Sequence, residues 1–214
     1  AMQTLLLLGA TGLVGQQVLL AALDDASIEH VCAPTRRSLV DHPKLSNPIV
    51  DFAELPSDAS WWHADAAICT LGTTLKLAGS KQAFRQIDHD YVMHAARLAQ
   101  AAGTTTFVLN SSLGADPNAC SFYLSVKGEL ERDLQKLGFS SYTTVRPSLL
   151  DGGTRPDWRP GEFIGLWLVR VLAPLIPKRY RAVSTKSVAD CLLSAALKAQ
   201  PGFHVIESER INTG

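Results

Sequence analysis

The sequence predicts an α/β fold, a doubly wound parallel sheet with helices on both faces and a small C-terminal extension on the substrate side. Three observations carry that prediction. Short apolar runs such as Leu5 to Leu8 alternate with segments of helical period from the start of the chain to about Arg146, the pattern of strands buried on both faces and joined by covering helices. The first run ends in a glycine-rich turn, Gly9-Ala10-Thr11-Gly12-Leu13-Val14-Gly15. The later helical segments repeat apolar residues at intervals of three and four, as in Phe122, Val126, Leu130 and Leu134.

Taken in order, Leu5 to Leu8 is the first strand, Leu13 to Leu23 the first helix and Val31 to Ala33 the second strand. Ile49 and Val50 form the third strand, which ends before Asp51. Ala66 to Cys69 is the fourth, followed by the small polar run Thr70 to Thr74. One amphipathic helix carries Phe84, Ile87, Tyr91, Ala95 and Leu98, and Thr106 to Leu109 is the next strand. The helix of Phe122 to Leu134 then leads to a strand over Tyr142 to Val145. Past Arg146 the pattern changes. Glycines and prolines from Asp151 to Gly161 read as a loop, Phe163 to Val171 as an apolar helix, and Val188, Cys191, Leu192 and Ala195 as a last helix before a short strand near Phe203 to Ile206. The division is a core over residues 1–150 and lid and C-terminal elements over 151–214 that complete the same domain.

Composition narrows the function classes. With 214 residues, 46% hydrophobic and 19% charged, the chain has enough apolar side chains for a core and is unlike a disordered segment. Lys and Arg number 20 against 20 Asp and Glu, and the longest basic cluster is Arg36 with Arg37, so no nucleic-acid footprint is present. Cys32, Cys69, Cys120 and Cys191 have neither disulfide-framework nor metal-ligand spacing and read as buried small hydrophobes in a reducing compartment. No basic region precedes the first leucines. The apolar stretch from Ile164 to Ile176 is broken by Arg170 and Pro174 and is short of the ~20 residues of a membrane span. A soluble cytoplasmic protein with a small-molecule substrate is expected, with no nucleic-acid or membrane partner and with room for a protein partner. His89 and His94 are five apart and do not pair on one helix face as metal ligands would. Trp61 and Trp62 read as cover for the sheet's edge, because no basic stripe accompanies them.

The glycine turn points to a dinucleotide. Gly9, Gly12 and Gly15 sit between a strand and a helix, where a backbone without side chains can approach a pyrophosphate and the helix N-terminus offers free N–H groups to an anion. An NAD site would place a carboxylate at the end of the second strand for the ribose 2′-hydroxyl. This chain has Thr35, Arg36 and Arg37 there, and guanidinium groups suit the 2′-phosphate of NADPH. Asp51 and Phe52 follow the third strand, where an acceptor beside a flat apolar ring suits adenine; a helix N-cap at Asp51 is the competing reading. Leu71 and Gly72 follow the fourth strand at the same carboxyl edge.

Tyr123 and Lys127 lie four apart on one helix, so both side chains leave the same face. A phenol with a pKa near 10 needs about 4 kcal/mol of differential stabilisation to exchange a proton readily at neutral pH, and a nearby ammonium supplies much of it. A serine hydroxyl, Ser112 in preference to Ser111, would hold a substrate oxygen against the phenol while a hydride moves to or from the cofactor. Arg155, Trp158 and Arg159 form a cationic, aromatic group in the loop expected to overhang the site as a lid.

With GATGLVG (Gly9–Gly15), TRR (Thr35–Arg37), VDF (Val50–Phe52), CTLGTTLKLAG (Cys69–Gly79), QIDHDYV (Gln86–Val92), NSSLGAD (Asn110–Asp116), YLSVKGELE (Tyr123–Glu131), RPSLL (Arg146–Leu150) and RPGE (Arg159–Glu162), the chain resembles the short-chain dehydrogenase/reductase superfamily. Within it, the likeness is to the atypical members of the Tat-interacting protein group, and it covers nearly the whole chain. The resemblance implies a Rossmann-type fold, NADPH (NADP+) as cofactor and a Ser-Tyr-Lys active site. It implies that Thr11, Gly12, Leu13 and Val14 contact the pyrophosphate and that Arg36 and Arg37 contact the 2′-phosphate. Leu71 and Gly72 then flank the ribose, Tyr123 and Lys127 lie on the nicotinamide side, and Leu150 and Arg159 close over it. Superfamily enzymes place an asparagine in the central helix to hold a water of the proton relay; Asp88 stands at that place here. An NADP-dependent oxidoreductase is the first expectation. The alternatives are a nucleotide-sugar epimerase or dehydratase using the same hydride machinery, and an NADPH-binding regulatory or scaffold protein with little turnover.

Overall fold

The computed structural model describes residues 3–148, 150–151 and 177–211. Strands β1 (Gln3–Leu8), β2 (Ile28–Cys32), β3 (Leu45–Ser46), β4 (Ala66–Cys69), β5 (Thr106–Asn110) and β6 (Ser141–Arg146) belong to one sheet. The short β7 (Leu150–Asp151) and β8 (Val183–Ser184) pair with each other, and β9 (Gly202–Glu207) returns to the large sheet. The seven strands run in the order β3-β2-β1-β4-β5-β6-β9, and each neighbouring pair is parallel. The fold is the doubly wound parallel sheet expected from the sequence.

The helices are α1 (Leu13–Asp24), α2 (Leu75–Ala78), α3 (Lys81–Arg85), α4 (Tyr91–Ala101), α5 (Phe122–Lys136), α6 (Thr185–Lys198) and α7 (Ser208–Ile211). Alternation along β1 divides the core in two. Leu5 and Leu7 face Val14, Val18 and Ala22 of α1 and Val188, Leu192 and Ala196 of α6. Leu6 and Leu8 face Val92, Ala95, Ala96 and Ala99 of α4 and Leu130 and Leu134 of α5. Trp62 is wholly buried in this second layer, where its Nε1 donates to the carbonyl of Pro56 at 2.6 Å. It is thus a core residue, with Trp61 tilted against it at a ring separation of 4.3 Å. No helix among the described residues is long and apolar enough to cross a membrane.

Three local expectations are corrected. The third strand is Leu45–Ser46, and Ile49 makes only an isolated bridge to Thr35. Pro48 has no N–H to give to a ladder, and Asn47 spends its side chain on Ala33, Thr35 and Leu39 instead, so regular pairing stops there. The amphipathic segment of Phe84 to Leu98 is interrupted by a π-helical turn over Gln86–Asp90. Its buried face is Phe84, Asp88, Val92, Met93, Ala95, Ala96 and Ala99, while Ile87 and Tyr91 lie only partly covered. Of the four cysteines, Cys32 and Cys69 are buried, Cys191 is half-buried and Cys120 is exposed on the loop before α5. The loop after Asp151, the helix expected near Phe163 to Val171 and the lid residues Arg155, Trp158 and Arg159 lie outside the described residues.

Loop 111–121 is held against α5 by a missing side chain. A Cβ at Gly128 would lie 2.2 Å from the carbonyl carbon of Asp116 and 2.3 Å from the nitrogen of Pro117. Helix propensity alone predicts that Gly128→Ala stabilises by about 1 kcal/mol, whereas overpacking against backbone costs about 3 kcal/mol. The second effect wins: thermal unfolding of Gly128→Ala should show a Tm about 4–8 °C below the wild type, and a higher Tm would refute this packing.

Candidate active site and dinucleotide cleft

The strand order reverses at β1, whose neighbours are β2 and β4, and a cleft opens there at the carboxyl ends of the strands. It has a volume of about 350 Å³ and is walled by Gly9–Gly12, Pro34–Arg36, Asp51, Phe52, Thr70–Thr73, Gln86, Ile87 and Tyr91. Gly9 adopts φ +90°, and a Cβ there would lie 2.6 Å from the backbone of Thr70 and Leu71. A Cβ on Gly15 would lie 1.9 Å from the Gly9 carbonyl oxygen, so the first turn of α1 packs directly on the strand end. Gly12 begins α1 without a side-chain cap, which leaves first-turn N–H groups available to an anion. This bare cradle fits a dinucleotide pyrophosphate.

The residues assigned to the cofactor from sequence divide by position. Gly9, Thr11 and Gly12 form the cleft wall, Leu13 is exposed beside it, and the Val14 side chain points into the core. Arg36 lines the cleft, and Arg37 is exposed next to it. Neither arginine makes an ion pair among the described residues. Their loop is fixed from beneath by Thr35, whose buried hydroxyl donates to the Arg37 carbonyl at 2.5 Å and accepts from Asn47 Nδ2 at 2.8 Å. Asp51 and Phe52 lie together on the wall, and Asp51 Oδ1 also accepts from the Ala53 N–H at 2.9 Å. No helix begins at Asp51, so the helix N-cap reading is corrected: its carboxylate caps a turn, and it stands on the cleft wall. Leu71 and Gly72 line the cleft, Leu150 is in β7, and Arg159 is outside the described residues. Gln86, Ile87 and Tyr91 also line the cleft without a signature in the sequence, and Asn47 supports the arginine loop from outside it. Tyr91 and Ile87 fell on the apolar stripe, and only the polar Gln86 beside them broke that pattern.

Tyr123 and Lys127 do share a face of α5. The Lys127 Nζ lies 5.6 Å from the centroid of the Tyr123 ring, and that ring packs on Phe84 at 5.4 Å. Lys127 is buried, and its Nζ sits 2.7 Å from Oδ2 of the wholly buried Asp88. Oδ1 of Asp88 accepts from the Thr73 N–H at 2.8 Å. Burial pushes the Asp88 carboxyl upward, opposed by Lys127 and the Thr73 N–H. Burial works against the Lys127 charge, but Asp88, Tyr123 and Cys69 together outweigh it and hold the ammonium above its ordinary pKa. Asp88 is carried by the π turn over Gln86–Asp90, and single π turns within helices occur mostly at functional sites.

Of the two serines, Ser111 continues β5 by donating its N–H to the Val145 carbonyl at 2.8 Å, and its buried hydroxyl has no partner among the described residues. Ser112 is half-buried, with its hydroxyl 3.4 Å from the Leu113 carbonyl. Neither hydroxyl bonds to Tyr123 among the described residues. Behind the site, Arg146 makes a two-pronged contact with Glu131 at 3.0 and 2.6 Å and reaches Glu207 at 2.9 Å, tying β6, α5 and β9 together. No cluster of potential metal ligands occurs among the described residues.

Solved structures share this fold. MoeE5 in complex with UDP-glucuronic acid and NAD superposes with a TM-score of 0.75 at 18% identity, covering 96% of this chain and 76% of that one. The oxidoreductase ylbE from Lactococcus lactis gives 0.68 at 15% identity, covering 98% and 95%. The sheet order, the bare glycine turn and these likenesses define a protein with a Rossmann-type doubly wound fold. No protein-family model matches the chain. Protein HTATIP2 of Rattus norvegicus is 32% identical over 218 residues, which is 98% of this chain and 88% of that protein. Protein FMP52, mitochondrial, of Candida albicans is 33% identical over 187 residues, 79% of this chain and 80% of that protein. The chain belongs to the HTATIP2 family, the Tat-interacting protein group of atypical short-chain dehydrogenases/reductases.

Cys69, at the end of β4, is buried next to this machinery, and burial pushes its thiol up to about 12, as it does for Cys32. A thiol that stays protonated and covered does not react. In the native protein at pH 8, a colorimetric thiol reagent should modify Cys120 rapidly, Cys191 more slowly, and Cys32 and Cys69 only after unfolding. Native labelling of Cys69 as fast as Cys120 would contradict the packing under the cleft.

Proposed function

We propose that the protein is an NADPH-dependent oxidoreductase that transfers hydride to or from a small carbonyl or alcohol, with Tyr123, Lys127 and Ser112 as the reacting-side residues. The observation that carries this reading is the placement of Tyr123 and Lys127 on one face of α5, with Lys127 Nζ directly behind the cleft residue Gly72. A bound dinucleotide would supply or accept the hydride. The Tyr123 phenol would give a proton to the substrate oxygen in reduction and take it back in oxidation. The Ser112 hydroxyl, or the partnerless one of Ser111, would hold that oxygen. Lys127 would stabilise the phenolate and approach the nicotinamide ribose. Arg36 and Arg37 would meet the 2′-phosphate, Asp51 and Phe52 the adenine, and Leu150 and Arg159 would close the nicotinamide end. The substrate is a small molecule, and cytoplasmic residence belongs to the same reading; the fungal relatives carry the word mitochondrial in their names.

A second reading has its own observation. The Asp88 carboxylate already satisfies the Lys127 ammonium, which lowers the net charge offered to the phenol. That favours a dinucleotide-binding regulatory protein with a protein partner and little turnover. A carbonyl screen following NADPH absorbance, with Tyr123→Phe as control, separates the two: oxidation above the Tyr123→Phe background supports the enzyme, and tight binding without it supports the regulator. Cofactor choice is tested by titration. A charge-assisted contact to phosphate is worth ~1.5–3 kcal/mol, so Arg36→Ala should weaken NADPH about 10–100-fold and leave NADH nearly unchanged. Equal wild-type affinities for the two would overturn the NADPH assignment.

A further inference from the structure

We propose that Asp88 is a positioning residue that clamps Lys127 to the cleft wall, one carboxylate oxygen holding the Lys127 ammonium and the other the backbone of Thr73. The proposal rests on the reading that the cleft takes NADPH. Its geometry is specific. Oδ2 lies 2.7 Å from Nζ, and Oδ1 accepts the Thr73 N–H at 2.8 Å. Thr73 and its neighbours Leu71 and Gly72 form one wall of the cleft. A Cβ on Gly72 would stand 3.4 Å from both Asp88 Oδ2 and Lys127 Nζ, so the wall rests directly on the ion pair.

Only a carboxylate meets both demands. An amide at position 88 keeps one acceptor for the Thr73 N–H, but its NH2 group would then face the ammonium donor to donor. An ordinary buried ion pair elsewhere in the core would stabilise the fold without touching the ligand. Here any displacement of the ammonium is passed through one rigid carboxylate to the backbone that flanks the nucleotide. The charged and titratable neighbours are few: Lys127 is faced by Asp88 from the π turn, Tyr123 from its own helix and Cys69 from β4. Asp88 is faced by Lys127 and the Thr73 N–H.

The test is a double-mutant cycle on NADPH affinity, read by fluorescence titration of the wild type, Asp88→Asn, Lys127→Met and the double variant. With Lys127 present, Asp88→Asn should weaken NADPH binding about tenfold. With methionine at 127, where the amide has no ammonium to repel, the same change should alter affinity less than about twofold. Equal effects in the two backgrounds, no effect in either, or tighter binding in the presence of Lys127 would each overturn the proposal. A merely structural pair would lower Tm in the single variants without this coupling. Hydrogen exchange at the Thr73 amide of the nucleotide-free protein, followed by NMR, needs no folded Asp88→Asn variant. It should be about tenfold faster in Lys127→Met than in the wild type, and an unchanged rate would refute the clamp. If the wild type binds no NADPH, the reading of the cleft fails, and the amide exchange alone decides the clamp.

Discussion

At the start of the first helix the backbones of Gly9 and Gly15 and the Thr70–Leu71 segment share a space that admits no side chain on either glycine. The Thr70 hydroxyl lies 3.0 and 3.1 Å from the carbonyls of Gly9 and Leu8 and fastens the β4 loop to the strand end. This contact fixes three things together: where α1 begins, how deep the cleft is, and how far the Leu71–Thr73 wall stands from α5. The Asp88–Lys127 pair fills the gap under that wall. A larger residue at position 9 or 15 would therefore disturb the nucleotide cradle and the lysine site in one movement.

The glycine turn could be read from the sequence because three glycines between a strand and a helix have few other physical uses. Tyr123 and Lys127 could be read because a separation of four on a strongly periodic helix fixes their common face. Other features had no such signature. Asn47 acts through three hydrogen bonds to a loop twelve or so residues earlier, and a lone asparagine before a proline looks like any turn. The π turn shifts the buried face by one residue, from the expected Ile87 and Tyr91 to Asp88 and Val92, and a polar Asp88 on that face hides the shift from apolar spacing. The two buried bonds of Asp88, which sits in that turn, are tertiary and leave no trace in local spacing. Cys120 misled in the opposite direction: as a residue type it prefers burial, yet it sits in a loop whose packing is set by Gly128.

Formal neutrality conceals a sorting of charges by depth. Deep charges are paired, Lys127 with Asp88 and Arg146 with Glu131 and Glu207, because an isolated ion in the interior is far costlier than a matched one. The cleft-side arginines Arg36 and Arg37 are exposed and pair with no carboxylate among the described residues. Exposed arginines beside the cleft thus coexist with a paired interior.

The position of the last strand has a consequence for how the molecule is made. β9 pairs with β6, and α6 packs across the same face as α1, so residues 185–207 cover apolar surface laid down by the first helix. During synthesis the face of Leu5, Leu7, Val18 and Val108 stays half-uncovered until nearly the whole described chain has emerged. Nascent chains stalled before position 185 would present a sticky, open-edged sheet. Burial of the face laid down by the first helix is thereby made dependent on the arrival of the other end.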